Sequence, residues 1–266
     1  MLNASIVLYN NTLTEVALLV EALRKSEVVS QVFLIDNSPS EQREFLNLNV
    51  IYIFNNKNIG YGAAHNIAIQ QTFQQNIPYH LILNPDIVFD SNILKVIDNY
   101  MNNNTDIGLL MPKVYYPNGE IQYLCKLLPT PLDLIFRRFL PKNWTKILTK
   151  KFELHGSGYN RIMNIPYLSG CFMFMRIEAI RKVGMFDERF FMYPEDIDLT
   201  RRMHSKYRTV FFPEVSIIHQ HARGSYVNVK LLFIHFKNMI KYFNKWGWVF
   251  DKERRKMNKE TLNQLK

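Results

Sequence analysis

Carboxylates, amides and histidines stand in this chain where apolar runs stop. His80 to Phe89 reads His-Leu-Ile-Leu-Asn-Pro-Asp-Ile-Val-Phe. Leu81, Ile82 and Leu83 have the branched, apolar character of a strand buried on both faces, and Asn84-Pro85 ends it because proline cannot continue a central ladder. Asp86 is thereby set just past a strand's carboxyl end, where open α/β sheets bind ligands, and a carboxylate fixed there suits a divalent cation. Read locally, the same residue only caps a turn. Asn58-Ile-Gly-Tyr-Gly-Ala-Ala-His-Asn66 offers a second chemistry. Gly60 and Gly62 allow close backbone approach at a helix N-terminus, which suits a nucleotide or its phosphates. The run departs from Gly-x-Gly-x-x-Gly, and a tight strand-to-helix turn would use the same glycines.

The acids of Phe190-Phe-Met-Tyr-Pro-Glu-Asp-Ile-Asp198 form a third group. Pro194 suits a first helical turn, and Glu195, Asp196 and Asp198 crowd that turn, where the macrodipole favours acids. Capping accounts for one or two of them. Phe190, Phe191 and Tyr193 add the aromatic faces a sugar site uses. His219-Gln-His-Ala-Arg-Gly224 then sets two imidazoles and Arg223 at a strand end, a group suited to a metal or a phosphate. Ser169-Gly170 interrupts an apolar strand, where glycine marks a bulge or a ligand's close approach.

These groups need strand ends to carry them, and the hydrophobic pattern supplies a series. Strands are predicted at 4–9, 32–35, 50–54, 81–83, 107–111 (ended by Pro112), 165–175, 207–212 and 216–218. A capped amphipathic helix runs from Thr14 to near Ser26, and further helices cover 93–101 and 177–183. Strands alternating with helices predict βαβ units and a mostly parallel sheet flanked by helices. The rhythm lapses over 115–162, which reads as an insertion of short basic, apolar helices on the acceptor side or as a plain solvated subdomain. Val227 to Phe250 reads as a basic amphipathic helix, with Lys230, Lys237, Lys241 and Lys245 near one face and Leu232, Phe236, Met239, Phe243 and Trp246 on another. Such a helix lies on an anionic membrane or packs on the protein body. The tail, 251–266, is expected to fray.

The 266 residues suffice for one large α/β domain, and a net charge of +10 calls for a polyanionic partner: nucleic acid, an anionic membrane face or a diphosphate-bearing substrate. Cys125 and Cys171 have neither disulfide-framework nor zinc spacing, which fits a reducing compartment. With no basic n-region at the start and no long uncharged apolar run, the expected location is cytoplasmic, with peripheral contact at the inner face of the cell membrane.

Taken together, Asp36-Asn37-Ser38, Asn58-x-Gly-x-Gly-x-x-x-Asn66, Asn84-Pro85-Asp86, Ser169-Gly170, Phe186-Asp-Glu, Glu195-Asp196-x-Asp198 and His219 resemble the family 2 glycosyltransferases of the GT-A fold, in the bacterial rhamnosyltransferase-like branch. The resemblance implies a Rossmann-like GT-A domain over 1–225, followed by a helical segment and tail over 226–266. It implies nucleotide-sugar contacts at Tyr9, Asp36, Asn58, Gly60, Tyr61, Gly62, Asn66, Asn84, Asp86 and Arg223. Acceptor and sugar contacts fall at Ser169, Gly170, Phe191 and Tyr193. Asp196 matches the catalytic base, with Glu195 its neighbour. Mn²⁺ or Mg²⁺ is implied at Asp86 and His219, or His221 if the register differs by two. The first acid of the usual metal motif is here Asn84, which leaves one ionised ligand.

The implied reaction is inverting transfer of a deoxyhexose such as L-rhamnose from a dTDP-sugar, with a UDP-hexose as the alternative, to a lipid-linked glycan at the inner leaflet. A nucleic-acid partner is not expected, because the carboxylates cluster where phosphates would be repelled. A sugar nucleotidyltransferase would need a glycine-rich first loop, and Ser5 to Thr12 has no glycine. A catalytically idle scaffold of the same fold stays open through Asn84.

Overall fold

The computed structural model describes residues 1–134, 142–220 and 229–266. Arg137, Arg138, His221, Arg223 and Gly224 lie outside these residues, and so does the start of the expected C-terminal helix at 227–228.

The chain opens with β1 (Leu2–Leu8), α1 (Leu13–Lys25) and β2 (Val29–Asp36). Leu2, Ala4, Ile6 and Leu8 alternate onto one face of β1 and bury against Val16, Leu19, Val20 and Leu23 of α1. The cap of α1 is Thr12 rather than Thr14, since the Glu15 carboxylate reaches back to the Thr12 N–H at 2.8 Å. A 3₁₀ turn (Arg43–Leu48) leads to β3 (Ile51–Phe54), and α2 (Tyr61–Gln74) crosses to β4 (Tyr79–Leu83). After β5 (Ile87–Val88) come α3 (Asn92–Asn103) and β6 (Ile107–Tyr115). The 115–162 stretch holds β7 (Cys125–Lys126), α4 (Pro131–Leu134) and α5 (Lys142–Phe152). The remaining elements are β8 (Met163–Asn164), β9 (Tyr167–Leu168), β10 (Phe172–Arg176), α6 (Ile177–Val183), α7 (Pro194–His204), β11 (Arg208–His219), α8 (Val229–Trp246) and α9 (Lys252–Gln264).

Among the described residues the main sheet runs β3-β2-β1-β4-β10-β6-β11-β5, with β8 beside β11 and a separate β7-β9 ribbon. Six of its nine strands run parallel, as expected of a mostly parallel sheet, while β10 runs antiparallel to β4 and β6, and β5 and β8 run antiparallel to β11. From β1 the chain passes through α1 to β2 on one side, and from β3 it returns through α2 to β4 on the other. This reversal opens a crevice at the carboxyl ends of β1 and β4, above which Tyr9 and Asn84 follow.

Three expected boundaries moved for identifiable reasons. β6 continues through Pro112 because its partner β11 breaks register between Phe212 and Ser216 directly opposite, so the missing proline N–H falls where the ladder is already interrupted. The same bulge joins the two expected late strands into one. The expected 165–175 strand divides at Ser169-Gly170, with β9 leaving for the ribbon and β10 entering the main sheet.

The far face of β1 is polar, and α2 satisfies it. Ser5 Oγ lies 2.7 Å from His65 Nδ1 and 2.8 Å from His80 Nε2, while Thr72 Oγ1 lies 2.8 Å from His80 Nδ1 and donates to the Ala68 carbonyl. With that donation, each remaining proton has one place: His80 Nδ1–H to Thr72, Ser5 O–H to His80, His65 Nδ1–H to Ser5. Burial pushes the His80 imidazole down to about 3 and the His65 imidazole well below its ordinary value, so both are neutral donors that seat α2 beside the crevice.

The C-terminal segment departs most from expectation. Residues 252–264 form α9 instead of fraying, capped by Asp251 accepting from Arg254 N–H at 2.9 Å. Tyr242, Phe243 and Met257 bury with Leu128, Phe190 and Ile197 in one cluster, so α8 and α9 pack on the loop and helix that carry the acidic motif. Lys245 is drawn inward to Asp187 (2.8 Å) and Asp198 (2.6 Å), and Lys241 donates to the Arg189 carbonyl at 2.6 Å. Only Lys237 of the expected basic face is exposed among those whose side chains are described.

Candidate active site

The end of β4 and the end of β11 meet at a histidine. His219 Nδ1 lies 3.0 Å from Gln122 Oε1, and Gln122 Nε2 donates to the His219 carbonyl at 2.6 Å, so the glutamine grips ring and backbone together. A glutamine oxygen only accepts, which puts the proton on Nδ1 and leaves the Nε2 lone pair facing the strand end. There it meets Asn84 Nδ2 and Asp86 Oδ1, each at 3.3 Å. Two lone-pair donors, imidazole and carboxylate, thus converge on one point, with an outer hydrogen bond orienting the ring as in metal sites.

Tyr61, at the start of α2, links this point to the acidic motif. Its hydroxyl reaches Asn84 Oδ1 at 3.1 Å and donates to the Gly170 carbonyl at 2.7 Å. Gly170 N–H in turn donates to Asp196 Oδ2 at 3.0 Å, and Ile197 N–H to Asp196 Oδ1 at 2.8 Å. A Cβ on Gly170 would stand 3.2 Å from the Asp196 Cβ, so glycine lets the strand bend pass beside the acid. Burial pushes the Asp196 carboxyl up to about 6, against the pull of these N–H donors and of Lys126. Its neighbour Glu195 is buried, and its Oε2 has no hydrogen-bond partner among the described residues. Burial first, then the Asp196 charge, pushes Glu195 well above the ordinary carboxylate range. Of the pair, Glu195 is pushed the more strongly toward its protonated form, so Asp196 is the member better suited to accept a proton.

The loop before α7 is held from two sides. Asn66, expected against a nucleotide, is spent on this loop: it exchanges hydrogen bonds of 3.0 Å with both backbone groups of Phe186 and reaches Glu188 at 3.1 Å. From the other side Asn238 of α8 donates to the Met192 carbonyl at 2.9 Å. Gly60 and Gly62 are needed here for room. A Cβ on Gly60 would lie 2.4 Å from the Phe191 carbonyl oxygen, which accepts Tyr61 N–H at 3.0 Å, and one on Gly62 would lie 2.8 Å from Phe186 Cβ. Gly60 also sits at φ +93, ψ 167, a region open essentially to glycine. Gly60→Ala is expected to cost about 1–3 kcal/mol and to loosen this loop; an unchanged denaturation midpoint would show that the loop has room to spare. Tyr193, just before Pro194, adopts φ +88, ψ −68, a rare and strained turn geometry directly beside the acids.

At the β2 end, Asp36 is fully buried, with Oδ1 accepting Ser38 N–H (2.8 Å) and Oδ2 accepting the Tyr52 hydroxyl (2.6 Å). It holds the turn in place. Asn58 Oδ1 accepts Gly60 N–H at 3.0 Å and lies 3.4 Å from Asn37 Nδ2, and Tyr9 stands exposed at the rim. Ser169 Oγ accepts the Cys171 N–H at 3.4 Å.

No protein-family model matches the chain. It is 26% identical over 182 residues to N-acetylglucosaminyl-diphospho-decaprenol L-rhamnosyltransferase of Mycobacterium tuberculosis, covering 63% of this chain and 58% of that protein. It is 27% identical over 194 residues to rhamnosyltransferase WbbL of Escherichia coli, covering 69% of each. Among solved structures, GalNAc-T7 with UDP, GalNAc and Mn²⁺ superposes with a TM-score of 0.64 at 16% identity, covering 92% of this chain and 48% of that one. The chain is thus similar in sequence to rhamnosyltransferases, and its fold is that of the GT-A glycosyltransferases.

For a GT-A homologue the donor set at β4 and β11 is spare but workable. Among the described residues no cluster of three or more histidine, cysteine or acidic side chains forms a closed metal site. Asp86 and His219 fit an ion that completes its coordination with waters and substrate phosphates, the habit of Mg²⁺. Asn84 cannot add charge; its amide ties Tyr61 to His219. Sequence reasoning missed Gln122, which sits in the irregular 115–162 stretch and meets His219 only through the fold. It also missed Tyr52, whose hydroxyl shields Asp36.

Proposed function

We propose that this chain is an inverting glycosyltransferase that moves a sugar from a nucleoside-diphosphate donor to a hydroxyl of a lipid-linked glycan, in the assembly of a bacterial surface polysaccharide. The observation that carries the reading is the facing of two unlike groups across Tyr61: the Asp86–His219 pair, suited to a diphosphate and its cation, and Asp196, suited to a proton. The nucleotide lies along the β1–β4 crevice, with Tyr9 and the Asn58–Gly62 loop at its rim and Asp36 bracing the turn beneath. A divalent ion held by Asp86 and His219 would supply positive charge to the departing diphosphate. On the other side the acceptor oxygen bonds to the anomeric carbon, the carbon–oxygen bond to the diphosphate breaks, and the acceptor proton passes to Asp196. Attack opposite the leaving group inverts the anomeric centre. Ser169, Phe191 and Tyr193 border the acceptor side.

L-Rhamnose from dTDP-rhamnose is the favoured donor, in line with the names of the mycobacterial and Escherichia coli relatives. A UDP-sugar is the second reading, favoured by the UDP bound in GalNAc-T7. The lipid-linked acceptor follows the decaprenol named in the mycobacterial relative. Among the described residues no helix is long and apolar enough to cross a membrane, so contact with such an acceptor would be made from the surface.

A thermal-shift panel of dTDP, UDP and GDP, each with and without Mn²⁺ or Mg²⁺, tests the reading. A ligand at about 100 times its Kd adds about 2.7 kcal/mol to the native state, so one nucleotide should raise Tm in the presence of metal. No shift with any of them would remove the donor site. Transfer should also fall as pH drops through about 6, because the base acts only when deprotonated and burial pushes Asp196 up to about 6. A rate unchanged across that region would exclude Asp196 as the base.

A further inference from the structure

The inward turn of Lys241 and Lys245 removes the basic face expected of α8, yet the other side of the helix remains unusual. Phe233, Lys237, Ile240, Asn244 and Trp248 recur at helical spacing and are all exposed, Phe233 at 72%. The chain then turns through Gly247 (φ +97) and presents Val249 and Phe250, with Phe250 at 89% exposure. Phe233 and Ile240 are exposed apolar side chains on this side of the helix, and beyond it Trp248, whose ring packs on Phe243 at 5.2 Å and whose N–H donates to Asn244, leads to the more exposed Val249 and Phe250. Positive charge gathers beside them. Lys252, Arg255, Lys256, Lys259 and Lys266 are exposed on and just beyond α9, while its two acids stand near cations, Glu253 at 3.9 Å from Arg201 and Glu260 at 4.0 Å from Lys256. Arg255, Lys259 and Lys266 line one open groove of about 780 Å³ with Trp248, Val249 and Leu262.

Apolar side chains at a tip flanked by cations match the two layers of an anionic bilayer surface, acyl chains beneath and phosphates above. We propose that the α8–α9 corner docks on an anionic lipid surface, with Trp248, Val249 and Phe250 entering the headgroup layer and the α9 cations on lipid phosphates. This deepens, and rests on, the reading of a lipid-linked acceptor. The corner is also coupled to the acidic motif: Asp251, next to Phe250, pairs with Arg201 of α7 at 2.7 and 2.8 Å. Docking there would hold the acceptor side of the enzyme at the membrane.

Flotation of the full chain with vesicles tests the proposal. Phosphatidylglycerol–phosphatidylcholine vesicles should carry the protein up, pure phosphatidylcholine vesicles far less, and added salt should weaken the binding. The double variant Arg255→Glu, Lys259→Glu should lower the partition coefficient by at least about tenfold. Val249→Ser with Phe250→Ser should lower it at any salt, whereas Leu18→Ser on exposed α1 should leave it unchanged. These side chains are exposed, so the variants should keep the wild-type Tm, and quenching of wild-type tryptophan fluorescence by brominated lipid gives a second readout. Wild-type protein that stays with the aqueous phase, or corner variants that bind like wild type, would overturn docking at this corner. Transfer to a short-chain soluble acceptor separates the two ideas. Full transfer without vesicle binding defeats the docking alone, and vesicle binding without any transfer defeats the transferase reading alone.

Discussion

Asp196→Asn is expected to lower kcat by about 10²- to 10⁴-fold, the usual contribution of a general base, while the nucleotide-induced thermal shift persists. The amide matches the carboxylate in size but cannot take up the acceptor proton. It also accepts with only one oxygen, whereas Asp196 receives Gly170 N–H on one oxygen and Ile197 N–H on the other. Part of the loss would therefore be positional, and a companion variant separates the two effects. Glu195→Gln replaces a carboxyl that burial pushes toward its protonated form, so it should keep the rate within about an order of magnitude if Glu195 takes no proton. The reverse pattern, with Glu195→Gln silent and Asp196→Asn active, would exchange the two roles.

The largest effect on stability is expected away from the acids. Arg201 is almost wholly buried, forms two hydrogen bonds with Asp251 and lies over the Trp246 ring at 4.0 Å. Asp251→Asn keeps a capping acceptor for α9 but strips the guanidinium of its buried counter-charge. Breaking such a pair typically costs about 3–5 kcal/mol, or on the order of 10 °C in Tm for a chain of this size. Burial alone would raise the Asp251 carboxyl, yet the bonds from Arg201 and Arg254 N–H hold it below its ordinary range. Its contribution is therefore present above the ordinary carboxylate pKa and lost as pH falls through the depressed native value. The stability gap between wild type and variant, read by denaturant unfolding, should shrink in acid. A gap that is small at neutral pH would mean that the α8–α9 corner is held by its apolar cluster alone.

Much of the frame was legible because the signals were local. An apolar run of three followed by Asn84-Pro85 defines a strand and its end within six residues, so Asp86 could be placed at a sheet edge without knowing the sheet. The order of strands and helices followed from periodicity in the same way. Boundaries failed where a distant partner decided them: Pro112 is tolerated in β6 because β11 bulges opposite, and 165–175 divides because β7 captures half of it.

Side-chain roles divide along the same line. The amino-acid order alone determined that acids, amides and a histidine would collect at successive strand ends, because strand termination is a property of neighbouring residues. The tertiary structure decided what each of them does there. Backbone N–H donors and Lys126 separate Asp196 from Glu195, a glutamine 97 residues away sets the proton of His219, and the Phe191 carbonyl explains Gly60. Contacts with α7 and its preceding loop turn two lysines of α8 inward and leave the cations of α9 outside. Charge state and exposure depend on what packs around a group, and packing joins residues that the chain keeps far apart.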